Sequence, residues 1–351
     1  MSGLDFFSFF IAMGLTLFFI FIAKPIAIKI NLVDVPGGRK AHEGNIPLIG
    51  GIALFLGFAF ACLTLDISMQ VYRSLFAGGA LLVLVGVGDD FHEFSARTRL
   101  AVQLFVSLLM VYWGKIYVAQ LGHFFFLGDF KLGWFGIVLT VVAMMGLINA
   151  KNMLDGVDGL AGGLSVIELS FLCFIAYHAG RVNDARMIFL LMGAALAFLF
   201  FNFPFLKRGA SIFMGDAGSM FLGFFLTWFC ISLSQNHPYA AANPVTFVWI
   251  MAVPIFDLVM VIIRRLRNKR SPFKPDREHI HHILERMGFN SRGITLLLCG
   301  FSCVMGFVGV VLNTLKIPGA LGIIPFVCFF LIFYYWTAKV IKRYTHLMEL
   351  K

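Results

Sequence analysis

The chain has 351 residues, of which 60% are hydrophobic and only 13% charged. A balance so poor in polar residues excludes a sizeable soluble domain and places the chain among polytopic membrane proteins. The net charge of +10 does not point to nucleic acid, because the basic residues sit in the connections between apolar segments, where they set topology.

A membrane-spanning helix needs about 20 mainly apolar residues. Eleven segments qualify, near residues 4–23, 47–65, 72–88, 98–113, 132–149, 160–179, 185–203, 217–234, 244–263, 294–313 and 319–340. The first lacks a basic flank and a small-residue cleavage site ahead of it, and Lys24 and Lys29 follow it, so it reads as a retained helix with a periplasmic N-terminus. Alternating the connections from there puts 22 of the 28 Lys and Arg residues inside, Lys151 among them, and leaves the C-terminus cytoplasmic. The outside connection 115–131 alternates Ile116 and Val118, then Phe124 and Phe126, as a short hairpin does. The six cysteines all lie in apolar segments, without the spacing of a disulfide framework or a zinc site, and read as packing residues.

On this topology every unusual polar motif faces inside. DVPGGRKAHEGNIPLIGG, residues 34–51, offers Arg39, Lys40 and His42 to an anion, although any inside loop gathers such charges. GVGDD ends the third segment with Asp89 and Asp90, adjacent carboxylates that repel and stay ionised only beside a cation or basic group. The stretch NAKNMLDGVDGLAGG, residues 149–163, places Asn149, Asn152, Asp155 and Asp158 in steps of three. On a helical turn the two aspartates share a face, and such a row of oxygen donors suits a hard cation and its phosphate ligands. Glu168, inside the sixth segment, reads as a hydrogen-bonded packing residue rather than a catalytic one.

FMGDAGS sets Asp216 immediately ahead of an apolar helix, where it can cap that helix or serve a phosphate at the free N–H groups. Pro254 should kink the ninth segment just before Asp257. The longest inside loop, 264–293, carries Arg264, Arg265, His279, His281 and His282. With no cysteine and no second pair nearby, the histidines read as donors to phosphate or sugar rather than zinc ligands. A membrane-surface anchor attracted to anionic lipid is the alternative account of the loop's charge.

DVPGGRKAH with PLIGG, VGVGDD, NAKNMLDGVDGLAGG, FMGDAGS and DREHIHH, in this order over nearly the whole chain, resemble the polyprenyl-phosphate N-acetylhexosamine-1-phosphate transferase superfamily, the glycosyltransferase 4 family. SPF-x-PDR-x-HIHH is most similar to the branch that transfers N-acetylglucosamine 1-phosphate from UDP-GlcNAc to undecaprenyl phosphate. The branch that transfers phospho-MurNAc-pentapeptide carries three consecutive histidines where Ile280 interrupts them here. The resemblance implies an all-α polytopic enzyme, one transferase domain over residues 1–351 with the substrate loop 264–293 inside it. It would sit in the bacterial cytoplasmic membrane with a cytoplasmic active site, release UMP, and make the first lipid-linked sugar of a surface polysaccharide such as O-antigen or a common antigen.

Carried over by position, the resemblance implies Asp216 as principal magnesium ligand and Asn152 as a second, with manganese able to substitute. It implies Asp89 as the residue that deprotonates the acceptor phosphate, Asp90 as its support, and Asp155 and Asp158 at the nucleotide or the metal–phosphate contacts. Arg39, Lys40, His42, Asn149, Arg264, Arg265, His279, His281 and His282 are then the substrate-binding set. The partners the resemblance implies are UDP-GlcNAc, undecaprenyl phosphate and membrane lipid, with no nucleic acid; a homodimer is compatible. A polytopic transporter would show paired repeats, which are absent from the sequence, and a lipid-binding scaffold has no need of five inside-facing aspartates.

Overall fold

Peptide groups in an apolar surrounding must satisfy one another, which an apolar segment does by becoming a helix. Each of the eleven apolar segments is helical in the computed structural model, which describes residues 6–35, 44–123, 128–204, 209–235, 240–271 and 278–349. The helices are α1 (Phe6–Lys29), α2 (Gly50–Cys62), α3 (Arg73–His92), α4 (Ala96–Tyr112), α5 (Phe135–Leu154), α6 (Leu160–His178), α7 (Val182–Asn202), α8 (Gly215–Ser234), α9 (Pro244–Ile250), α10 (Ala252–Arg267), α11 (Ile280–Arg286), α12 (Ser291–Thr314) and α13 (Gly319–Glu349). Among the described residues eight helices are long and apolar enough to cross a membrane, or nine if α9 and α10 form one broken span. The chain is therefore an all-α polytopic membrane protein.

The expected kink is a full break: α9 and α10 meet at 80° across Met251. Pro254 has no N–H to return to Ile250, and it falls in the first turn of α10, where that N–H would have no helical partner anyway. The hairpin in 115–131 is present as β3 (Gln120–His123) paired antiparallel with β4 (Asp129–Lys131); Phe124 and Phe126 lie outside the described residues. A second short pair, β1 (Val33–Asp34) with β2 (Ile46–Pro47), joins the end of α1 to the start of α2.

α8 is the axis of the bundle. It is apolar on all sides, and every residue from Ala217 to Ser234 is buried. Small residues let its neighbours close in: Gly86 of α3 lies on the Ala217 backbone, Gly51 of α2 on Gly218, and Gly223 of α8 on Ile148 of α5, with no room for a Cβ at any of the three. The entry of α8 is pinned to the entry of α2, since the Phe213 N–H donates to Pro47 and the N–H groups of Gly50 and Gly51 donate to Phe213 and Met214. These contacts fall within a turn or so of Asp89, Asp216 and Asn152, so packing that buries apolar surface also sets how closely the polar helix ends meet.

Connections at the two ends of the bundle alternate along the chain. At one end the Gly159 N–H donates to Asn202, the last residue of α7, and Asn202 donates to the Ile212 carbonyl. At the other end Gln235 receives the N–H groups of Ala119 and Gln120 beside the hairpin, and Tyr72 donates to Asp184 at the start of α7. One assignment changes: Lys151 is no loop cation but a residue of α5, 1% exposed and ion-paired with Glu168 of α6. Of the cysteines, Cys62, Cys173 and Cys230 are buried, whereas Cys303 and Cys328 are exposed on the bundle surface.

Candidate active site

The last turn of α3, the first turns of α4 and α8, and the last turn of α5 converge at one end of the bundle. Asp216 is not an N-cap, as its place ahead of an apolar run allowed. α8 begins one residue earlier, at Gly215, with Met214 in the cap position and no side-chain cap of its own. The capping comes from elsewhere, because Asp90 Oδ1 accepts the Asp216 N–H at 2.9 Å. That bond satisfies one of the free N–H groups of α8 and sets a carboxylate at the positive end of its dipole. Gly215 makes room for it, with φ of 71° and a missing Cβ that would fall 2.5 Å from Asp90 Oδ2.

Asp216 is thereby freed to turn toward α5, where Asn152 Nδ2 donates to its Oδ1 at 2.5 Å and to Ser219 Oγ at 2.9 Å. Asp89 is buried, accepts the Phe94 N–H at 2.6 Å, and faces Arg99. The Arg99 guanidinium reaches between Asp89 Oδ2 at 3.5 Å and Asp216 Oδ2 at 3.7 Å. By sequence Arg99 is one of the inside cations that set topology; its place one turn into the helix after the Asp pair is the signal that it also faces the carboxylates.

The steps of three in residues 149–158 do not survive as one row. α5 stops at Leu154, Asp155 has left helical geometry at φ −81° and ψ 35°, and Gly159 takes a left-handed φ of 76°. The four side chains consequently part company. Asn149 donates to Gln103 of α4 and to the Met145 carbonyl, so its amide binds α4 to α5. Asn152 goes to Asp216, while Asp158 Oδ2 accepts the Ala210 N–H at 3.0 Å and its carbonyl accepts the Thr295 hydroxyl. Asp158 thus holds the approach to α8 against the 155–159 turn. Asp155 keeps some contact with solvent, yet burial together with the charges of Asp216, Asp90 and Asp158 raises its carboxyl well above the usual range.

The histidine cluster lies not in open loop but at the start of a short helix, with His279 at the N-cap of α11 and His281 and His282 in its first turn. Asp257 of α10 accepts the His279 Nδ1–H and the Ile280 N–H, each at 2.7 Å, and so caps α11 from a neighbouring helix. Ile280 and Leu284 pack on Leu154, Val157 and Leu160 around the turn, and Ile283 packs with Met260 and Tyr334. His281 comes to rest against Gly156, where a Cβ would meet its Nε2 at 2.8 Å. Its Nδ1 is buried without a hydrogen-bond partner among the described residues. Burial, reinforced by the neighbouring His282, pushes its pKa down to about 3. His282 is more exposed and bonds Glu285. Arg264 is buried, donates to the Glu278 carbonyl and lies over the Tyr334 ring, and Arg265 is buried beside it. Arg39, Lys40 and His42 lie outside the described residues.

The structure therefore gathers Asp89, Asp90, Asn152, Asp155 and Asp216, keeps Asp158 in the 155–159 turn with His281 packed against Gly156 of that turn, and leaves Asn149 at the α4–α5 contact. Carboxylate and amide oxygens crowd together, Asp90 Oδ2 is buried without a hydrogen-bond partner among the described residues, and burial followed by the neighbouring carboxylates raises Asp155. That donor chemistry fits a hard divalent cation. Among the described residues no three carboxylate, imidazole or thiol groups are drawn together tightly enough to hold an ion on their own. An ion here would complete its shell from phosphate oxygens and water, which is how magnesium ordinarily sits at phosphate-transfer sites.

The family model for glycosyl transferase family 4 matches residues 72–234, from the start of α3 to the end of α8. The chain is 38% identical over 338 residues to the undecaprenyl-phosphate alpha-N-acetylglucosaminyl 1-phosphate transferase of Yersinia pestis, covering 94% of this chain and 92% of that protein. It is also 38% identical to the proteins of that name from Escherichia coli K12, covering 84% and 80% of the two chains, and from Haemophilus influenzae, covering 82% and 81%. With the carboxylate cluster of α3, α5 and α8 inside the matched region and 38% identity over 94% of the chain, the chain belongs to glycosyl transferase family 4.

Proposed function

We propose that the protein transfers N-acetylglucosamine 1-phosphate from UDP-GlcNAc to undecaprenyl phosphate, releasing UMP. The observation that carries this reading is the meeting of Asp89, Asp90, Asn152, Asp155 and Asp216 at one end of an apolar bundle. One substrate is a lipid phosphate that arrives within the bilayer and the other a soluble nucleotide, and a polar cluster at the membrane surface serves both. The name shared by the relatives specifies the same lipid and sugar.

In the reaction, an oxygen of the lipid phosphate attacks the β-phosphorus of UDP-GlcNAc in line. The new P–O bond forms as the bond to the oxygen bridging the α-phosphorus breaks, and that oxygen leaves on UMP. Asp89, beside Arg99, takes the remaining proton of the lipid phosphate. Arg99 is placed to turn from the two carboxylates toward incoming phosphate charge, and His281 holds the 155–159 turn against α11. Magnesium held by Asp216 and Asn152, with Asp90 and Asp155 near, would neutralise the phosphates as charge builds on the leaving group.

The membrane arrangement that fits this chemistry has eleven crossings in a bacterial inner membrane, with the N-terminus periplasmic and the carboxylate cluster cytoplasmic. The alternation of helix ends supports it, as does the placing of α2 and α4 antiparallel to their longer neighbours. Purified protein should release UMP only when UDP-GlcNAc, a polyprenyl phosphate and magnesium are all present; release without the lipid, or none at all, would overturn the reading. In a cysteine-free background, Lys131→Cys should react with an impermeant reagent in intact cells and Arg97→Cys should not.

A further inference from the structure

We infer that the buried Lys151–Glu168 ion pair is a positioning device for the active-site turn, setting the rotation of the two helices that flank residues 155–159. This rests on the proposed transfer reaction. Lys151 is 1% exposed and Glu168 is fully buried, with Nζ 2.5 Å from Oε2; Lys151 also donates to Ser165 Oγ at 3.1 Å. Among the described residues the partners of this pair are each other and Ser165, not the carboxylate cluster, so its role is to position rather than to react.

A buried ion pair is weak support for stability, because desolvating two charges offsets most of their attraction and an apolar pair of similar size serves the core as well or better. Its place in the chain is what gives it a use. Lys151 immediately precedes Asn152, and consecutive helical residues point about 100° apart. With Lys151 drawn to α6, Asn152 is aimed at Asp216 and Ser219 of α8. On the other flank, Ser165 and Glu168 share a face of α6 and fix the rotation of the helix that Gly159 and Leu160 begin. The segment between the two anchors carries Asp155, the Gly156 seat of His281, and Asp158. Apolar packing alone tolerates small rotations of a helix about its axis, whereas two charges closed on each other in a dry interior do not.

The test is a set of variants assayed for thermal stability and for UMP release per folded molecule. Lys151→Met and Glu168→Gln should each melt lower, and their kcat should fall on the order of 10- to 100-fold, the scale of an ångström-sized misplacement. The double apolar variant Lys151→Met with Glu168→Leu leaves no unpaired charge and should regain wild-type stability while its kcat stays low. Glu168→Asp, which keeps the pair but shortens one arm, should fold and lie between wild type and Glu168→Gln in kcat, with KM for UDP-GlcNAc within about threefold of wild type. Wild-type kcat in the double variant, or in Glu168→Asp, would show a purely structural pair and overturn the inference. If the single variants do not fold, those two decide the matter. Failure of wild-type protein to release UMP would instead refute the transfer reading itself.

Discussion

Replacing Asp257 with alanine should undock α11 and take the histidine cluster with it. Two hydrogen bonds of 2.7 Å are lost together, from the Ile280 N–H and from His279 Nδ1, both in a dry setting since Asp257 is 1% exposed. A capping bond of this kind contributes about 0.5–2 kcal/mol and a bond to a charged group about 1.5–3 kcal/mol. Apolar packing of Ile280, Ile283 and Leu284 persists, so the net effect on docking should be about 2–4 kcal/mol, a shift of roughly 30- to 700-fold in the docking equilibrium. Asp257→Asn keeps an oxygen for the Ile280 N–H and should cost about half as much or less. Hydrogen exchange in detergent would read this directly, as lost protection over residues 278–289, and KM for UDP-GlcNAc should rise in the same order, alanine above asparagine. Wild-type protection of that segment in Asp257→Ala would refute the assignment of Asp257 as the anchor of α11.

The other expectations concern chemistry at the cluster. Asp89→Asn should lower kcat by about 10²- to 10⁴-fold, the usual worth of a general base, while UDP-GlcNAc still binds in a calorimeter; a loss confined to nucleotide affinity would move the base role to Asp158. His281 has its pKa lowered in the folded protein from 6.5 to about 3, so the unfolded chain takes up its proton first. Its contribution to stability is complete above pH 6.5 and is lost as pH falls toward about 3, and His281→Asn should show a shallower fall in melting temperature across that window. An unchanged slope would mean His281 is not held neutral by burial. UDP-MurNAc-pentapeptide should give essentially no turnover under conditions where UDP-GlcNAc reacts, since α11 is close-packed on the 155–159 turn and, on the proposed reading, would leave no room over the sugar for a lactyl-peptide arm. Comparable rates with both donors would overturn the donor assignment.

The amino-acid sequence by itself determined the helices and picked out the polar motifs that end them. An apolar run has one way to satisfy its peptide groups in lipid, so composition and length alone located all eleven helical segments, and turn residues and alternation located the hairpin at 115–131. It also singled out most of the carboxylates and amides that meet at one end of the bundle, because such groups ending apolar helices call for a partner: a free helix end, an ion or a phosphate. Which of them face one another was decided only in three dimensions. Asp90 caps a helix that begins 125 residues later in the chain, Asp257 caps α11 across 23 residues, and Lys151 abandons the loop charge pattern to meet Glu168. The even spacing from Asn149 to Asp158 pointed to one helical face, yet the helix ends within it and each side chain answers a different neighbour. The physical reason is common to all of these. Hydrogen-bond partners between helices follow from how each helix is rotated and how closely it approaches the next, and those are set by contacts such as Gly86 on Ala217 and Gly223 on Ile148, between residues far apart in the sequence.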